Sequence, residues 1–387
     1  MQEESFPLRI VTGDQFCNRT VERKRLSKML QRGTSVWLQA HRRHGKSSLL
    51  VQVGEDMKAQ GLNVAMERCH ILFNSGKESI IKQLLKTTDK LMGAVAQIDA
   101  DLNGYSKAEA LTDYIKSKFD KHDLNIKIEK GLPSISFDRH DTAPTIDTLR
   151  NALDNLDIYA CEANIRVVFV IDEFQELSKT EAAKELESAI RDSLELSKAI
   201  AFVFCGSERT LMKLAMTDSQ RPLYNHTTRF DLERIQRQHY IPHITKMAFN
   251  EWKKEIDVKV IDEILKLTER HPYYVNLLCS ELWLEEEVPD VPIVRQTWCS
   301  IVDRSERDEK GLLQSLTTNE KKLLAGIAKG HTEKLTSKAV LSDIGLASSS
   351  LSRSLNSLVE KDVVEQAGDM HWRIVKPVIT EIARRYS

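Results

Sequence analysis

The sequence predicts an α/β chain: a parallel sheet covered by helices, then an all-helical segment, then a small helix-turn-helix unit closed by a hairpin. Three observations carry this. A short apolar strand at 35–39 runs through a loop into a helix, QAHRRHGKSSLL at 39–50. A near-continuous β-branched run, VVFVI at 167–171, ends in Asp172 and Glu173. From Leu312 onward, three helical patterns precede two short strand patterns. Strands buried on both faces read as unbroken apolar runs, and strands alternating with helices imply a parallel sheet with helices on its faces.

The elements follow in order. Glu22–Arg32 is a surface helix with Leu26, Met29 and Leu30 among many charges, stopped by Gly33. Ser35–Gln39 is a buried strand, Lys46–Gln60 a helix ended by Gly61, and Asn63–Cys69 a second strand. Residues 75–122 read as helices. IKIEKGLPSISF at 126–137 alternates around Gly131 and Pro133, the mark of a hairpin inserted into the domain. Helices at Thr145–Ala163 and Glu181–Ser197 bracket the VVFVI strand, and Ile200–Cys205 is another buried strand. The alternation gives a doubly wound α/β domain to about residue 235. After Pro242 the pattern is helical: Lys246–Ile256, Val258–Thr268 and Tyr273–Glu287, broken by Pro289 and Pro292. The expected division is 1–238, 239–311 and 312–387.

Composition bounds the function. A chain of 387 residues exceeds one ordinary core. Its 41% hydrophobic and 29% charged residues are those of a soluble globular protein. A net charge of −1 excludes a whole-chain nucleic-acid signature, so any basic surface is local. No apolar run reaches bilayer length. The stretch MQEESFPLRIVTGDQF carries early acids and no apolar core, so no secretory leader is expected. Six scattered cysteines form no C-x-x-C pair and read as reduced thiols of a cytoplasmic protein. His70 beside Cys69 has no partner at zinc spacing.

The chemistry sits at strand ends. A phosphate-binding loop needs inward backbone N–H groups, a lysine for the β- and γ-phosphates, a hydroxyl for Mg²⁺ and a helix N-terminus facing the anion. Gly45, Lys46, Ser47 and the helix from Lys46 supply these, with Ser48 following. His41, Arg42, Arg43 and His44 add positive charge. The first glycine of the usual G-x-x-x-x-G-K-[ST] pattern is replaced by Ala40, which lacks glycine's access to positive φ. Asp172, at the C-terminal end of its strand, is expected to hold the Mg²⁺, and Glu173 to polarise the attacking water. Ser207, after the strand 201–205, either contacts the γ-phosphate or water or simply makes a turn. Arg209, Arg221 and Arg229 are candidates for stabilising transition-state charge, Arg229 above the others.

In this order, HRRHGKSSLL, VVFVIDEFQEL, FVFCGS, RPLYNHTTRFDLERI and ERHPYYVNLLC resemble the archaeal-type ATPases, of the STAND branch of the AAA+-related P-loop proteins. That family writes its loop G-P-R-R-x-G-K-[ST]. Arg42, Arg43, Gly45, Lys46 and Ser47 match, whereas Ala40 and His41 depart. Ile171–Gln175 is the most specific match, and Pro222–Tyr224 with Arg229 agree. The resemblance covers roughly residues 10–285. It implies that His271-Pro272 opens a lid helix beside the nucleotide, that ATP drives a conformational switch, and that nucleotide can control homo-oligomerisation. Family members include regulators, defence proteins and DNA-associated ATPases. Origin-recognition AAA+ ATPases with a C-terminal winged helix share the architecture and would imply DNA binding by both domains.

The C-terminal unit has 11 Lys/Arg against 8 Asp/Glu between 312 and 387. Helices are expected at Thr318–Ala328, Lys338–Ile344 and Ser348–Glu360, with Leu351, Leu355, Leu358 and Val359 inward. Strands at Val363–Gln366 and His371–Val375 flank Ala367-Gly368-Asp369, completing a winged helix whose third helix would enter a major groove. Ser349, Ser352, Arg353 and Asn356 face outward, suited to duplex DNA. A winged helix used only for protein packing is the other reading. No nuclease or protease constellation is present, so an effector, if there is one, is a separate protein. The expected function is an ATP-binding, ATP-hydrolysing switch with Mg²⁺ that controls a protein or DNA partner in regulation or defence. The alternative is a DNA-binding winged-helix protein whose nucleotide site is weak or structural.

Overall fold

The computed structural model describes residues 5–105, 124–129, 132–137, 144–367 and 371–386, with backbone alone for 124–129, 132–137 and 209–210. The chain forms two compact units. One comprises Thr20–Arg42 and Leu49–Leu232; the other comprises Met1–Arg19, Arg43–Ser48 and Glu233–Ser387.

The first unit is built on a five-stranded sheet. Its strands are β1 (Val36–Gln39), β2 (Val64–His70), β5 (Arg166–Asp172), β6 (Ile200–Cys205) and β7 (Thr228–Asp231), in the order β2-β5-β6-β1-β7. Every pairing is parallel, with Ile171 opposite Phe204, His70 opposite Asp172 and Trp37 opposite Phe204 and Arg229. The apolar runs explain the order. Every residue of β6 is buried, and so are the five inner residues of β5, so these two strands take the middle. Phe169, Phe202 and Phe204 stack along them with centroids 5.6 and 6.0 Å apart. β7, mostly exposed, takes an edge.

Helix Lys77–Leu102 packs on β2 and on helix Ile146–Glu162, which packs on Ala183–Leu196. Thr145 and Thr148 form a capping box that fixes where Ile146–Glu162 begins. The inserted hairpin, β3 (Leu124–Glu129) with β4 (Leu132–Phe137), is antiparallel and lies along helix Lys77–Leu102. The expected helix beyond Tyr105 and the turn residue Gly131 lie outside the described residues.

The second unit is helical. Helix Arg237–Trp252 contains Pro242, which sequence reading places at a boundary. Proline is accepted there because it falls in the second turn, where few backbone bonds precede it, and because Tyr240, Ile244, Met247 and Ala248 bury one face. Helices Val258–Leu267 and Pro272–Leu282 follow. Then comes one continuous helix, Val291–Ser315. Pro292 starts this helix instead of breaking the pattern, since a first-turn proline loses no bond, and Asp290 caps it through Ile293 N–H at 2.9 Å. The expected boundary at 311/312 falls inside this helix.

The winged helix follows. Helices Thr318–Ala328, Lys338–Ile344 and Ser348–Glu360 precede β8 (Val364–Gln366) and β9 (Trp372–Ile374), and helix Pro377–Arg385 packs beneath. Residues 368–370, with the turn expected there, lie outside the described residues. Val359 is exposed, contrary to its expected inward position; Leu351, Ser354 and Leu358 fill that face. Glu320 is buried at the first helix's capping box. Burial pushes its carboxyl up, but hydrogen bonds from Lys361, Ser357 and Thr317 outweigh this and hold it at about 2. A single apolar core runs through this whole unit, from Phe6 through Trp298 to Ile382.

Arg234 ties the unit together. It is buried, donates to Glu269 O at 3.0 Å and Glu269 Oε2 at 2.8 Å, and donates to the carbonyls of Ile374 and Val375 at 3.1 and 2.9 Å. Five donors in a planar fork can serve these acceptors at once, which lysine cannot do.

Candidate nucleotide site

Residues 40–42 leave the C-terminal end of β1, and Asp172-Glu173 leave the C-terminal end of β5. Because both strands are parallel members of one sheet, both features emerge on the same edge, with β6 between the two strands. That edge is where open α/β sheets bind ligands.

The acids are held by a turn that the core dictates. Phe174 is fully buried against Phe204, centroids 5.0 Å apart and edge to face, and its N–H donates to Cys205 O at 2.9 Å. Burying Phe174 immediately after the strand drives Glu173 into the left-handed region, φ +55°. The Glu173 carboxylate then accepts from Ser207 Oγ at 2.7 Å, from Ser207 N at 3.3 Å and from Gln175 Nε2. Gln175 Nε2 also reaches Ser207 Oγ at 3.2 Å, and the Gln175 side chain is buried. Ser207 therefore engages Glu173, beyond a simple turn. Gly206 leaves room for two side chains: a Cβ there would lie 2.2 Å from Gln175 Oε1 and 2.8 Å from Met212 Cγ and Sδ, so those side chains must shift to accept one.

Asp172 is mostly buried and lies 3.7 Å from both Arg68 Nη1 and His70 Nδ1 on β2. Sequence reading considered His70 only as a metal ligand and did not consider Arg68. The register of β2 against β5, which sets His70 opposite Asp172, is the signal that finds them.

The loop residues belong to the second unit. Gly45 and Arg43 have positive φ, +83° and +64°, and Ala40 does not. Alanine at 40 therefore carries no left-handed strain; that demand falls on positions 43 and 45. Arg42 and Arg43 are exposed, and Gly45, Lys46 and Ser47 are half-buried. The Arg43 guanidinium sits 4.1 Å from the Tyr273 ring centroid, within cation–π range. His44 is buried, its ring 4.6 Å from that of His271. Arg19, itself buried, donates to His44 O at 3.1 Å and to Glu233 O at 3.0 Å. Ser48 Oγ accepts from Val11 N at 3.1 Å. Pro272 occupies the first turn of its helix with His271 before it, so the segment 271–273 packs directly against the loop.

The candidate arginines separate. Arg229 sits on edge strand β7, exposed, paired with Asp231 at 2.7 Å and beside Trp37. Arg221 is committed elsewhere: its guanidinium grips Glu187, a carboxylate with 0% exposure, Nε to Oε2 at 3.0 Å with Nη2 on Oε1. Burial pushes the Glu187 carboxyl up, and Arg221 and Ser178 oppose this. The side chain of Arg209 lies outside the described residues. Ser349, Ser352, Arg353 and Asn356 are all exposed on helix Ser348–Glu360, as expected. Among the described residues no group of acids, histidines and cysteines is arranged to hold a metal ion by itself.

Comparison with solved structures decides the architecture. The chain is similar to a Walker-type ATPase, paby2304, of Pyrococcus abyssi, at 18% identity over 98% of this chain and 99% of that one, TM-score 0.66. The fold is that of a P-loop ATPase. The ORC2 protein of Aeropyrum pernix, solved in ADPNP and ADP complexes, is 14% identical over 96% of this chain and 95% of that one, TM-score 0.50. Within this P-loop ATPase fold, residues 310–374 match the family described as a probable winged helix domain. Among curated proteins none matches the chain's sequence. Among the described residues no helix is long and apolar enough to cross a membrane.

Proposed function

We propose that this chain is an ATP-binding and ATP-hydrolysing switch of the STAND type, with Mg²⁺ as its metal. The observation that carries the reading is the turn after β5: a core-driven kink presents Glu173 to Ser207 at the C-terminal edge of the sheet, the edge at which β1 also ends, before Ala40. In this reading Lys46 and the loop N–H groups take the phosphates, Arg42, Arg43, His44 and Ser48 shape the loop, and Pro272 brings the lid helix to it. Ser47 and Asp172 are hard oxygen donors of the kind Mg²⁺ takes. The metal supplies charge neutralisation at the transferred phosphoryl group. Glu173 orients water, with its carboxylate aimed by Ser207 and Gln175. Arg229 serves transition-state charge only after leaving Asp231. The division 1–238, 239–311 and 312–387 is part of this proposal as a division of roles and not of folding units, because helix Val291–Ser315 spans 311/312; the cytoplasm is the proposed compartment.

The partner is a separate protein or duplex DNA. The four exposed polar side chains on helix Ser348–Glu360 support the second reading, a DNA-binding winged helix with a structural nucleotide site. A calorimetric ATP titration and a phosphate-release assay separate the two. The wild type binds and hydrolyses ATP, Lys46→Ala loses binding, and Glu173→Gln keeps ATP bound with turnover reduced at least about a hundredfold. A wild type without ATP affinity at millimolar concentration ends the switch reading. Salt-dependent retention on duplex DNA that Arg353→Gln removes would favour the second.

A further inference from the structure

A groove of about 670 Å³ lies on the winged-helix side of the second unit, walled by helices Val291–Ser315, Thr318–Ala328 and Pro377–Arg385. Its floor is apolar, formed by Leu313, Leu324 and Ile382. The volume is that of a small-molecule site, which typically spans about 300–1,000 Å³. Neither the helix expected to read DNA nor the β8–β9 hairpin contributes to its lining.

The charges on its rim are unequal in a specific way. Asp303, Glu306, Arg307 and Lys310 share one helical face at i, i+3, i+4 and i+7. Both acids are already engaged within the chain: Asp303 by Arg385 Nη1 at 2.5 Å, and Glu306 by the Tyr386 hydroxyl. Among the described residues, Arg307, Lys310 and Lys321 make no ion pair. Asp303 is thus neutralised by Arg385, Glu306 keeps its charge while accepting from Tyr386, and Arg307, Lys310 and Lys321 against that one acid leave the rim net positive over an apolar floor. Lys310 and Lys321 lie on the two helices either side of the short turn at Leu316-Thr317, and both line the groove.

We propose that this groove binds an amphiphilic carboxylate: a small molecule with an aliphatic or aromatic body on Leu313, Leu324 and Ile382 and its anionic head toward Lys310 and Lys321. The inference is independent of nucleotide chemistry. It gives the winged helix a ligand face apart from its outward helix.

The test uses the full chain, with anilinonaphthalene sulfonate as fluorescent probe and decanoate and decanol as competitors of equal chain length. Decanoate displaces the probe at least about tenfold better than decanol, equivalent to about 1.4 kcal/mol from the head group. Lys310→Glu/Lys321→Glu abolishes that preference and leaves decanol unchanged. Ala325→Trp, at the groove wall, blocks both competitors. Thermal unfolding of each unliganded variant confirms that it folds. Equal displacement by decanoate and decanol, or affinities within about twofold in both variants, overturns the proposal. So does an acidic amphipathic peptide that binds where decanoate does not.

Discussion

Replacing Arg221 by methionine isolates the energetics of a buried carboxylate. Glu187 has no exposed surface, and its charge is balanced by the Arg221 fork with help from Ser178 Oγ at 3.1 Å. Without Arg221 the folded chain has two options: keep an unpaired buried charge, or protonate Glu187. Protonation sets the ceiling. From an ordinary value of 4.5 to pH 7 is about 2.5 units, or about 3.4 kcal/mol. The expected loss at pH 7 is therefore at most about 3.4 kcal/mol, and smaller by as much as burial already raises the Glu187 carboxyl in the wild type. The sign with pH follows. In Arg221→Met the folded state holds a proton that the unfolded state releases above pH 4.5, so the variant loses stability as pH rises, by about 1.4 kcal/mol per unit. The gap to wild type should be at most about 2 kcal/mol at pH 6 and under about 1 kcal/mol at pH 5. Urea unfolding at pH 5, 6 and 7, followed by tryptophan fluorescence, measures this. A loss that is the same at all three values refutes the reasoning. In the double variant Glu187→Leu/Arg221→Met most of the loss at pH 7 should return, because no charge is left buried.

Three further predictions follow from separate features. Burial pushes the half-buried His243 imidazole down to about 4, with Lys246 adding to this and Asp14 opposing it. The unfolded chain therefore binds a proton first, and the second unit should lose up to about 3 kcal/mol between pH 6.5 and 4; His243→Gln should flatten that slope in thermal melts. Gly206→Ala should displace the Gln175 side chain, cost about 1–3 kcal/mol in urea unfolding and slow ATP hydrolysis, because Glu173 loses a donor; unchanged stability would show that Gln175 can move aside freely. Arg234→Met should cost about 3 kcal/mol and lower hydrogen-exchange protection around Glu269 and around Ile374-Val375 together.

How far the sequence could be read depended on the range of the interactions. The strand VVFVI and the loop before Lys46 were legible because their chemistry fixes residue types at fixed spacing. The winged helix was legible because its caps and periodicity are local, as with Thr317 and Glu320. Pairings across tens of residues were not. Nothing near Arg221 in sequence points to Glu187, so it reads as a candidate catalytic arginine until the fold brings them together. Ser207 fitted a turn and a functional contact equally well, and only the register of β5 against β6 joins it to Glu173. Pro242 and Pro292 look alike as breakers, yet both lie in early helical turns. Ala40 seemed the weak point of the loop because a motif records identities, whereas the strain depends on which position turns left-handed.

The uninterrupted helix Val291–Ser315 spans 311/312 and runs up to the winged helix, inside one continuous core. An excised fragment beginning at 312 would leave behind most of the helix that packs against helix Pro377–Arg385. The helices on either side of Val291–Ser315 should melt in one transition, because they share that core.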